Sequence, residues 1–300
     1  MKIHHINLGT MCPYGGNLFD GRGGSIVSKG EMIIHALVVE TNDGLVLVDT
    51  GIGLEDMKSP VRRLGLGFVA GCRPVLREED TAVRQIERLG FKRSDVRNLV
   101  VTHLDVDHAG GIPDFPDAKI HVYRAEHAAA MAPATLNEKN RYRKVHFAGN
   151  PRWEKHDTSG DRWFGFDSVR AIADDVLMIP LPGHTRGHCA IAVRVPSAAS
   201  AAYGPGIEWL LHCGDAYFFH DEKNDVPTCP AGLGLFQTVM AVDNDLRVAN
   251  AARLRVLQRE ESSRVRIFCA HSPHEFEAAV RDTRRAVTAP AGATESRPSA

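Results

Sequence analysis

Apolar residues along this 300-residue chain fall into short runs, most of which end abruptly in polar corners that contain glycine. Residues 33–40 and 45–49 predict two strands of a hairpin, because the Asn-Asp-Gly sequence between them supplies the positive φ angles of a tight turn. Further strands are predicted at 99–101, 119–123, 168–172, 176–181, 189–195, 209–213 and 265–270. Amphipathic helices are predicted at 79–89, 125–131 and 246–258. Strands followed by helices in both halves of the chain fit two stacked sheets with helices outside.

Two long insertions between these elements are predicted to shape a binding pocket, and the second of them is expected to be irregular. The first, 53–77, includes the segment from Leu64 to Ala70, and the second, 137–166, mixes aromatic with basic residues. Such a mixture could bind an acyl chain or an anionic group, or it could be a surface loop packed on the core through its tryptophans. We expect one domain over 1–287 and a disordered tail over 288–300, which is rich in Ala, Pro, Ser and Thr.

The composition predicts a cytoplasmic protein that acts on a small molecule. Charged residues make up 24% of the chain and the net charge is -1, so no basic field favours nucleic acid or an anionic membrane. The start of the chain lacks the apolar core of a signal peptide, and no run approaches the ~20 apolar residues of a membrane span. The six cysteines have no C-x-x-C pair, which favours buried free thiols. The oligomeric state stays open.

Chemistry is concentrated in the run from His103 to His108, which places four metal-competent side chains within six residues. Imidazole nitrogens and carboxylate oxygens are the usual ligands of zinc and other first-row dications. Four other predicted strands also end next to residues of this kind, namely Asp49, His184, Asp215 and His271. Sites tend to cluster on loops held by a rigid scaffold, so these strand ends are expected to meet at one rim.

The order of these motifs resembles the metallo-β-lactamase superfamily, whose pattern is an early Asp, then H-x-H-x-D-H, then a later His, Asp and His. The resemblance extends from about Met32 to about Phe276 and implies an α/β (α+β) fold, a four-layer αββα sandwich with one or two metal ions at one edge. It implies that His103, Asp105 and His184 hold one metal, that Asp107, His108 and His271 hold a second, and that Asp215 bridges them. Asp49 would orient ligands from behind, and His188 would be structural.

One position departs from the family pattern, since its second histidine is Asp105 here. A carboxylate at this position is similar to the flavodiiron branch, which has Glu there and a di-iron centre, although 300 residues leave no room for that branch's flavodoxin domain. Zinc is the expected metal, as one or two ions, and the harder oxygen donor leaves manganese or iron open. Asp105 could instead point away from a weaker site.

The expected activity is metal-dependent hydrolysis, in which a metal-bound hydroxide attacks a small-molecule ester or lactone. Asp107 and Asp215 are candidate catalytic residues. Tyr217 is a candidate proton donor by analogy with a tyrosine of N-acyl-homoserine lactonases, but it follows Asp215 by two residues instead of three, which would put it on the other face of a strand. Hydrolysis of a phosphodiester, thioester or β-lactam, and a non-hydrolytic iron protein with redox activity, remain alternatives.

Overall fold

A computed structural model of the chain describes residues 1–147, 149, 151–172, 175–197 and 200–288, and within these ranges it contains two β-sheets. The first sheet has seven strands in the order β4-β1-β2-β3-β5-β6-β7, and the second has six in the order β13-β12-β11-β10-β9-β8. The strands are β1 Lys2–Met11, β2 Met32–Thr41, β3 Gly44–Val48, β4 Pro74–Val75, β5 Val96–Val100, β6 Lys119–Tyr123, β7 Arg152–His156, β8 Asp161–Trp163, β9 Phe166–Ile172, β10 Val176–Pro180, β11 Cys189–Arg194, β12 Trp209–His212 and β13 Val265–Phe268.

The helices in the described part of the chain vary in length from a single turn to 18 residues. They are α1 Asn17–Asp20, α2 Leu54–Lys58, α3 Pro60–Leu64, α4 Leu66–Cys72, α5 Ala82–Arg88, α6 Val106–Ala109, α7 Arg124–Met131, α8 Leu136–Arg141, α9 Ser200–Tyr203, α10 Ala231–Met240, α11 Asn244–Glu261 and α12 Pro273–Thr288. Each helix in this part of the chain is too short or too polar to cross a bilayer.

Both faces of each sheet are buried, which gives the predicted four layers. On β2, Leu37 and Val39 pack between the sheets, while Ile34, Ala36 and Val38 face the helices outside the first sheet. This alternation follows from the two-residue period of a strand. The second sheet packs its outer face against α11. The αββα sandwich predicted from the sequence is therefore confirmed.

Most predicted elements are present, with two corrections. The hairpin forms between β2 and β3 in antiparallel register. Helix α5 begins only at Ala82, after a separate 3₁₀ turn at Glu78–Asp80, because the backbone at Thr81 is extended. The stretch 137–166 is less irregular than predicted, since it carries the end of α8 and the strands β7 and β8. Of the predicted tail, Thr288 ends α12, and 289–300 lie outside the described residues. All six cysteines are free, and four of them are buried.

A cluster of neutral histidines lies between the two sheets, with His35 and His212 buried and His5 half-buried. The Nδ1 atom of His5 is 2.8 Å from the Nε2 atom of His35, and His212 donates from Nε2 to the carbonyl oxygen of His35 at 2.6 Å. The ring of Phe268 stacks on His35 with 4.5 Å between centroids. Burial, aided by the neighbouring imidazoles, lowers the pKa of His5 from 6.5 to about 3.

We predict that replacing His5 by phenylalanine weakens the acid sensitivity of the fold. The unfolded chain takes up a proton at His5 below pH 6.5, whereas the folded protein does so only near pH 3, so stability is lost as the pH falls between these values. A group of this kind contributes a slope of about 1.4 kcal/mol per pH unit. Urea unfolding between pH 6 and pH 4 should show a shallower pH dependence for His5→Phe than for the wild type. Parallel curves would contradict a His5 that stays neutral in the folded protein.

Candidate metal centre

The first group of predicted ligands converges after β5 and β10. Asp105 precedes the short helix α6, and its Oδ2 atom lies 3.0 Å from the Nε2 atom of His184 and 3.4 Å from that of His103. All three side chains are buried, and their ligand atoms lie within 4.8 Å of one another. Asp105 therefore faces the site, as expected of a ligand.

A second group lies beside the first and shares Asp215 with it. The ligand atoms of Asp107, His108 and His271 also lie within 4.8 Å of one another. The Oδ1 atom of Asp215 is 3.2 Å from the Nε2 atom of His108 and 3.1 Å from that of His271, while its Oδ2 atom is 3.3 Å from the Nε2 atom of His184. Asp215 thus spans both groups, which is the geometry expected of a bridging carboxylate. All seven predicted ligands come together.

The donor atoms at the centre of this cluster fit divalent metal ions. The Nε2 atoms of His103 and His108 and the Oδ1 atom of Asp215 are buried and have no hydrogen-bond partner in the described part of the chain. Burial would lower the pKa of His108, but Asp215, Asp107 and Asp49 raise it well above its ordinary value. Burial raises the pKa of Asp107 in the same cluster. The cluster therefore carries surplus negative charge that attracts protons, and dications can replace those protons.

Asp49 holds two of the ligands from behind. It follows β3 with a φ angle of 60°, an uncommon backbone conformation for a residue other than glycine. Its Oδ2 atom accepts a hydrogen bond from His108 Nδ1 at 2.8 Å and another from the Thr102 hydroxyl at 2.9 Å. The same hydroxyl lies 2.9 Å from His103 Nδ1. These contacts place the Nδ1 hydrogens outside the cluster, so the Nε2 lone pairs of both imidazoles face the other candidate ligands.

A buried carboxylate that the sequence analysis missed joins two ligand loops. Glu126, on α7, accepts hydrogen bonds from the backbone of Leu104 at 2.9 Å and of Gly187 at 3.1 Å, and from the hydroxyl of Tyr142 at 3.1 Å. It thereby ties the loop after β5 to the loop after β10. The signal was present in the sequence as a charged residue within a predicted helix otherwise rich in alanine, but nothing marked it as inward-facing.

His188 is structural, as the resemblance implied. Its Nδ1 atom donates to the carbonyl oxygen of Leu181 at 3.1 Å, and its Nε2 atom accepts from the backbone N–H of Asp215 at 2.9 Å. Both ring nitrogens are occupied in this way, so His188 fixes the position of Asp215 without offering a ligand atom.

The prediction of Tyr217 as a proton donor is not supported. Its hydroxyl donates to Glu275 at 3.1 Å within the core outside the second sheet, and burial raises its pKa well above the ordinary value. The next residue, Phe218, contacts the ring of His271 with 4.6 Å between centroids and lines the cavity. Tyr217 and Phe218 lie in the irregular segment after β12, and of the two it is Phe218 that lines the site.

A cavity of about 570 Å³ opens directly over the cluster. Five of the predicted ligands form part of its wall, namely Asp105, Asp107, His184, Asp215 and His271. Both insertions contribute, the first through residues such as Leu66 and Phe68 and the second through Arg141 and Arg143. The aromatic residues of the second insertion lie elsewhere; Trp163, for example, packs edge-on against Trp209. The volume suits a small organic molecule.

Comparison with known proteins decides the family. The family model described as the metallo-β-lactamase superfamily matches residues 30–201. The chain belongs to the metallo-β-lactamase superfamily. A probable metallo-hydrolase of Mycobacterium tuberculosis is 39% identical over 286 residues, which cover 94% of this chain and 84% of that protein. An N-acyl homoserine lactonase of a Bacillus species is 28% identical over 244 residues, covering 79% of this chain and 82% of its own.

Solved structures agree on the fold. An N-acyl homoserine lactone hydrolase with the product N-hexanoyl-L-homoserine bound at its catalytic metal centre superposes with a TM-score of 0.67 at 21% identity, covering 92% of this chain and 95% of that one. AidC, a dizinc quorum-quenching lactonase, gives a TM-score of 0.57 at 17% identity, covering 90% and 87%. The relatives also confirm the predicted enzyme class of metal-dependent hydrolase.

We predict that His103→Ala and Asp215→Ala each lose bound metal. The first removes an imidazole donor and the second removes the carboxylate that spans both groups. Elemental analysis of the purified full-length variants should show a clear loss of metal per chain relative to wild type. His121→Ala is the control, because His121 lies on β6 and pairs with His156, away from the cluster. Wild-type metal content in either cluster variant would refute the ligand assignment.

We further predict that Glu126→Gln loosens the metal centre through the backbone. An amide has only one acceptor oxygen, so one of the two loop N–H groups would face an NH₂ group and lose its partner, at a cost of about 1–3 kcal/mol. Thermal unfolding should show a lower Tm, and metal release to a chelator should be faster. Glu79→Gln, at an exposed position, should change neither. Unaltered metal release in Glu126→Gln would show that the loops are held by other contacts.

Proposed function

We propose that this protein hydrolyses lactones or related esters that carry an apolar chain, using one or two divalent metal ions. The observation that carries the proposal is the position of the ligand cluster at the wall of an otherwise largely apolar cavity. The lactonase names of several relatives support the choice of bond. Zinc is the expected metal, supported by the dizinc lactonase among the structural neighbours.

The roles of the ligands follow from their positions. His103, Asp105 and His184 would hold one ion, Asp107, His108 and His271 a second, and Asp215 would contact both. When bound there, divalent ions would lower the pKa of a water towards neutrality and would polarise a carbonyl group as a Lewis acid. The imidazoles would keep their orientation because Asp49 accepts from His108 and the Ile33 carbonyl accepts from His271.

Proton transfer would fall to the carboxylates that border the cavity. Asp107 and Asp215 both line it, and burial already raises the pKa of Asp107. An oxygen of Asp107 could accept the proton that a water loses on attack and return it to the leaving alkoxide. Asp215 would assist by staying ionised between the two ligand groups, since the surrounding histidines hold its pKa well below the ordinary value. With Tyr217 turned towards Glu275, no tyrosine is needed for this step.

The cavity wall favours an apolar chain beside the reacting bond. Met11, Met32 and Phe236 form part of its lining, and Leu66 and Val239 continue an apolar surface outward with 68% and 64% of their area exposed. Exposed apolar side chains next to a pocket are typical of binding grooves. An acyl or alkyl chain attached to the lactone would bury these surfaces.

We predict that turnover of acyl-substituted lactones improves with chain length. Each buried methylene is worth about 0.8 kcal/mol, or roughly a fourfold gain in kcat/KM, until the cavity is filled. Leu66→Asn should weaken this dependence while sparing short-chain substrates. Leu136→Asn is the matched control, since Leu136 is 78% exposed and does not line the cavity.

The same assay should include linear esters, thioesters, phosphodiesters and a β-lactam on metal-loaded protein, with His103→Ala as the inactive reference. Chelation should abolish lactone turnover, and added zinc should restore it. Preference for a thioester, phosphodiester or β-lactam would overturn the proposed bond. Bound iron accompanied by oxygen consumption would instead favour the redox alternative.

A further inference from the structure

A buried arginine lies directly behind one of the predicted ligands. Arg141 is the last residue of α8, and only 2% of its side-chain area is exposed. Its Nε atom lies 3.4 Å from the Oδ1 atom of Asp105. Its terminal nitrogens donate to two backbone carbonyl oxygens, that of His184 at 2.9 Å and that of Met240. Two backbone carbonyl groups therefore hold the guanidinium group in place, and its Nε atom faces the carboxylate of Asp105.

The two oxygens of Asp105 face different partners. Oδ2 faces the imidazoles of His184 and His103, where a metal ion would bind. Oδ1 faces Arg141 and makes no hydrogen bond in the described ranges, and the facing Nε atom of Arg141 makes none either. The contact is consequently an ion pair, with the second oxygen left for a cation.

A fixed positive charge so close to a cation site is unfavourable unless it offsets a negative one. The cluster contains three carboxylates, those of Asp105, Asp107 and Asp215. Burial alone would raise the pKa of Asp105, but Arg141, His103 and His184 together outweigh this effect and lower it well below the ordinary value. Arg141 thus favours the ionised form of Asp105, and at 3.4 Å its guanidinium offsets the charge of that carboxylate.

We propose that Asp105 and Arg141 act as one electrically neutral unit, in which the carboxylate supplies a ligand oxygen and the guanidinium sets the net charge of the metal site. Arg141 is a positioning residue, since it acts through Asp105 and through the carbonyl of His184. The inference rests on the metal centre of the proposed function, but not on which bond is cleaved. Removing Arg141 alone should make the net charge of the metal site more negative, and removing Asp105 alone should make it more positive.

The test is a double-mutant cycle read out as metal affinity. Zinc is extracted from the full-length, metal-loaded protein with a chromophoric chelator, and the equilibrium is compared for wild type, Arg141→Met, Asp105→His and the double variant. Arg141→Met leaves an extra negative charge and should tighten zinc binding. Asp105→His leaves an extra positive charge and should weaken it. Each shift is expected to be on the order of 10-fold or more, and the double variant should return close to wild type.

Two further variants separate charge from shape. Arg141→Lys keeps the charge and should keep affinity close to wild type. Arg143→Met is the matched control, since Arg143 lines the same cavity but donates to the carbonyl oxygens of Arg62 and Arg63 and pairs with no carboxylate in the described ranges. If Arg141→Met does not fold, Arg141→Gln takes its place, because its amide can still donate to a carbonyl.

The outcomes are distinct. Opposite shifts in the single variants, with recovery in the double variant, support the neutral unit. Shifts in the same direction, a double variant that stays as far from wild type as either single variant, or equal losses in Arg141→Met and Arg141→Lys would overturn it. Because metal affinity is measured without a substrate, failure of the lactone assay would leave this result intact, and the two proposals can fail separately.

Discussion

Three carboxylates and four imidazoles crowd together at one edge of the sheets, and this crowding is the constraint to which the surrounding structure responds. Buried like charges repel one another, and protons or cations must offset them. Hydrogen bonds do not fill this role at the centre of the cluster, because several buried donor and acceptor atoms there have no hydrogen-bond partner in the described residues. A site of this kind is stable only with cations bound or with its imidazoles protonated.

Such a site also requires rigid support, which comes from buried polar groups one layer further out. Asp49 aligns His108 and, through Thr102, His103. Glu126 joins the loops after β5 and β10, and His188 fixes the backbone of Asp215. Each of these groups is buried with its hydrogen-bonding capacity largely used, so it adds precision to ligand position at little cost in unpaired polar atoms.

The convergence of the seven candidate ligands and the layered fold could be predicted from sequence because the motifs leave short-range signals and their order resembles that of the family. Ligands follow strand ends, and strands reveal themselves by apolar runs. The orientation of Tyr217 could not be predicted in the same way, because it depends on how the irregular segment after β12 turns. Glu126 and Arg141 were missed for a different reason. Each lies on a helix 20 residues or more from the ligand it supports, among residues typical of an ordinary solvent-facing helix.

The second insertion links metal electrostatics to cavity shape. Helix α8 ends at Arg141, whose guanidinium contacts Asp105 on one side and the carbonyl of Met240, a residue of the cavity wall, on the other. A shift of α10 or α8 that accommodates a different substrate would therefore also move the charge that faces Asp105. The harder oxygen ligand and the buried arginine are best understood together, because a carboxylate without its counter-charge would add a net negative charge to the site, and an arginine without the carboxylate would repel the ion. If the proposed metal centre and activity hold, Arg141 would couple substrate range to metal preference, because it contacts both Asp105 and the cavity wall.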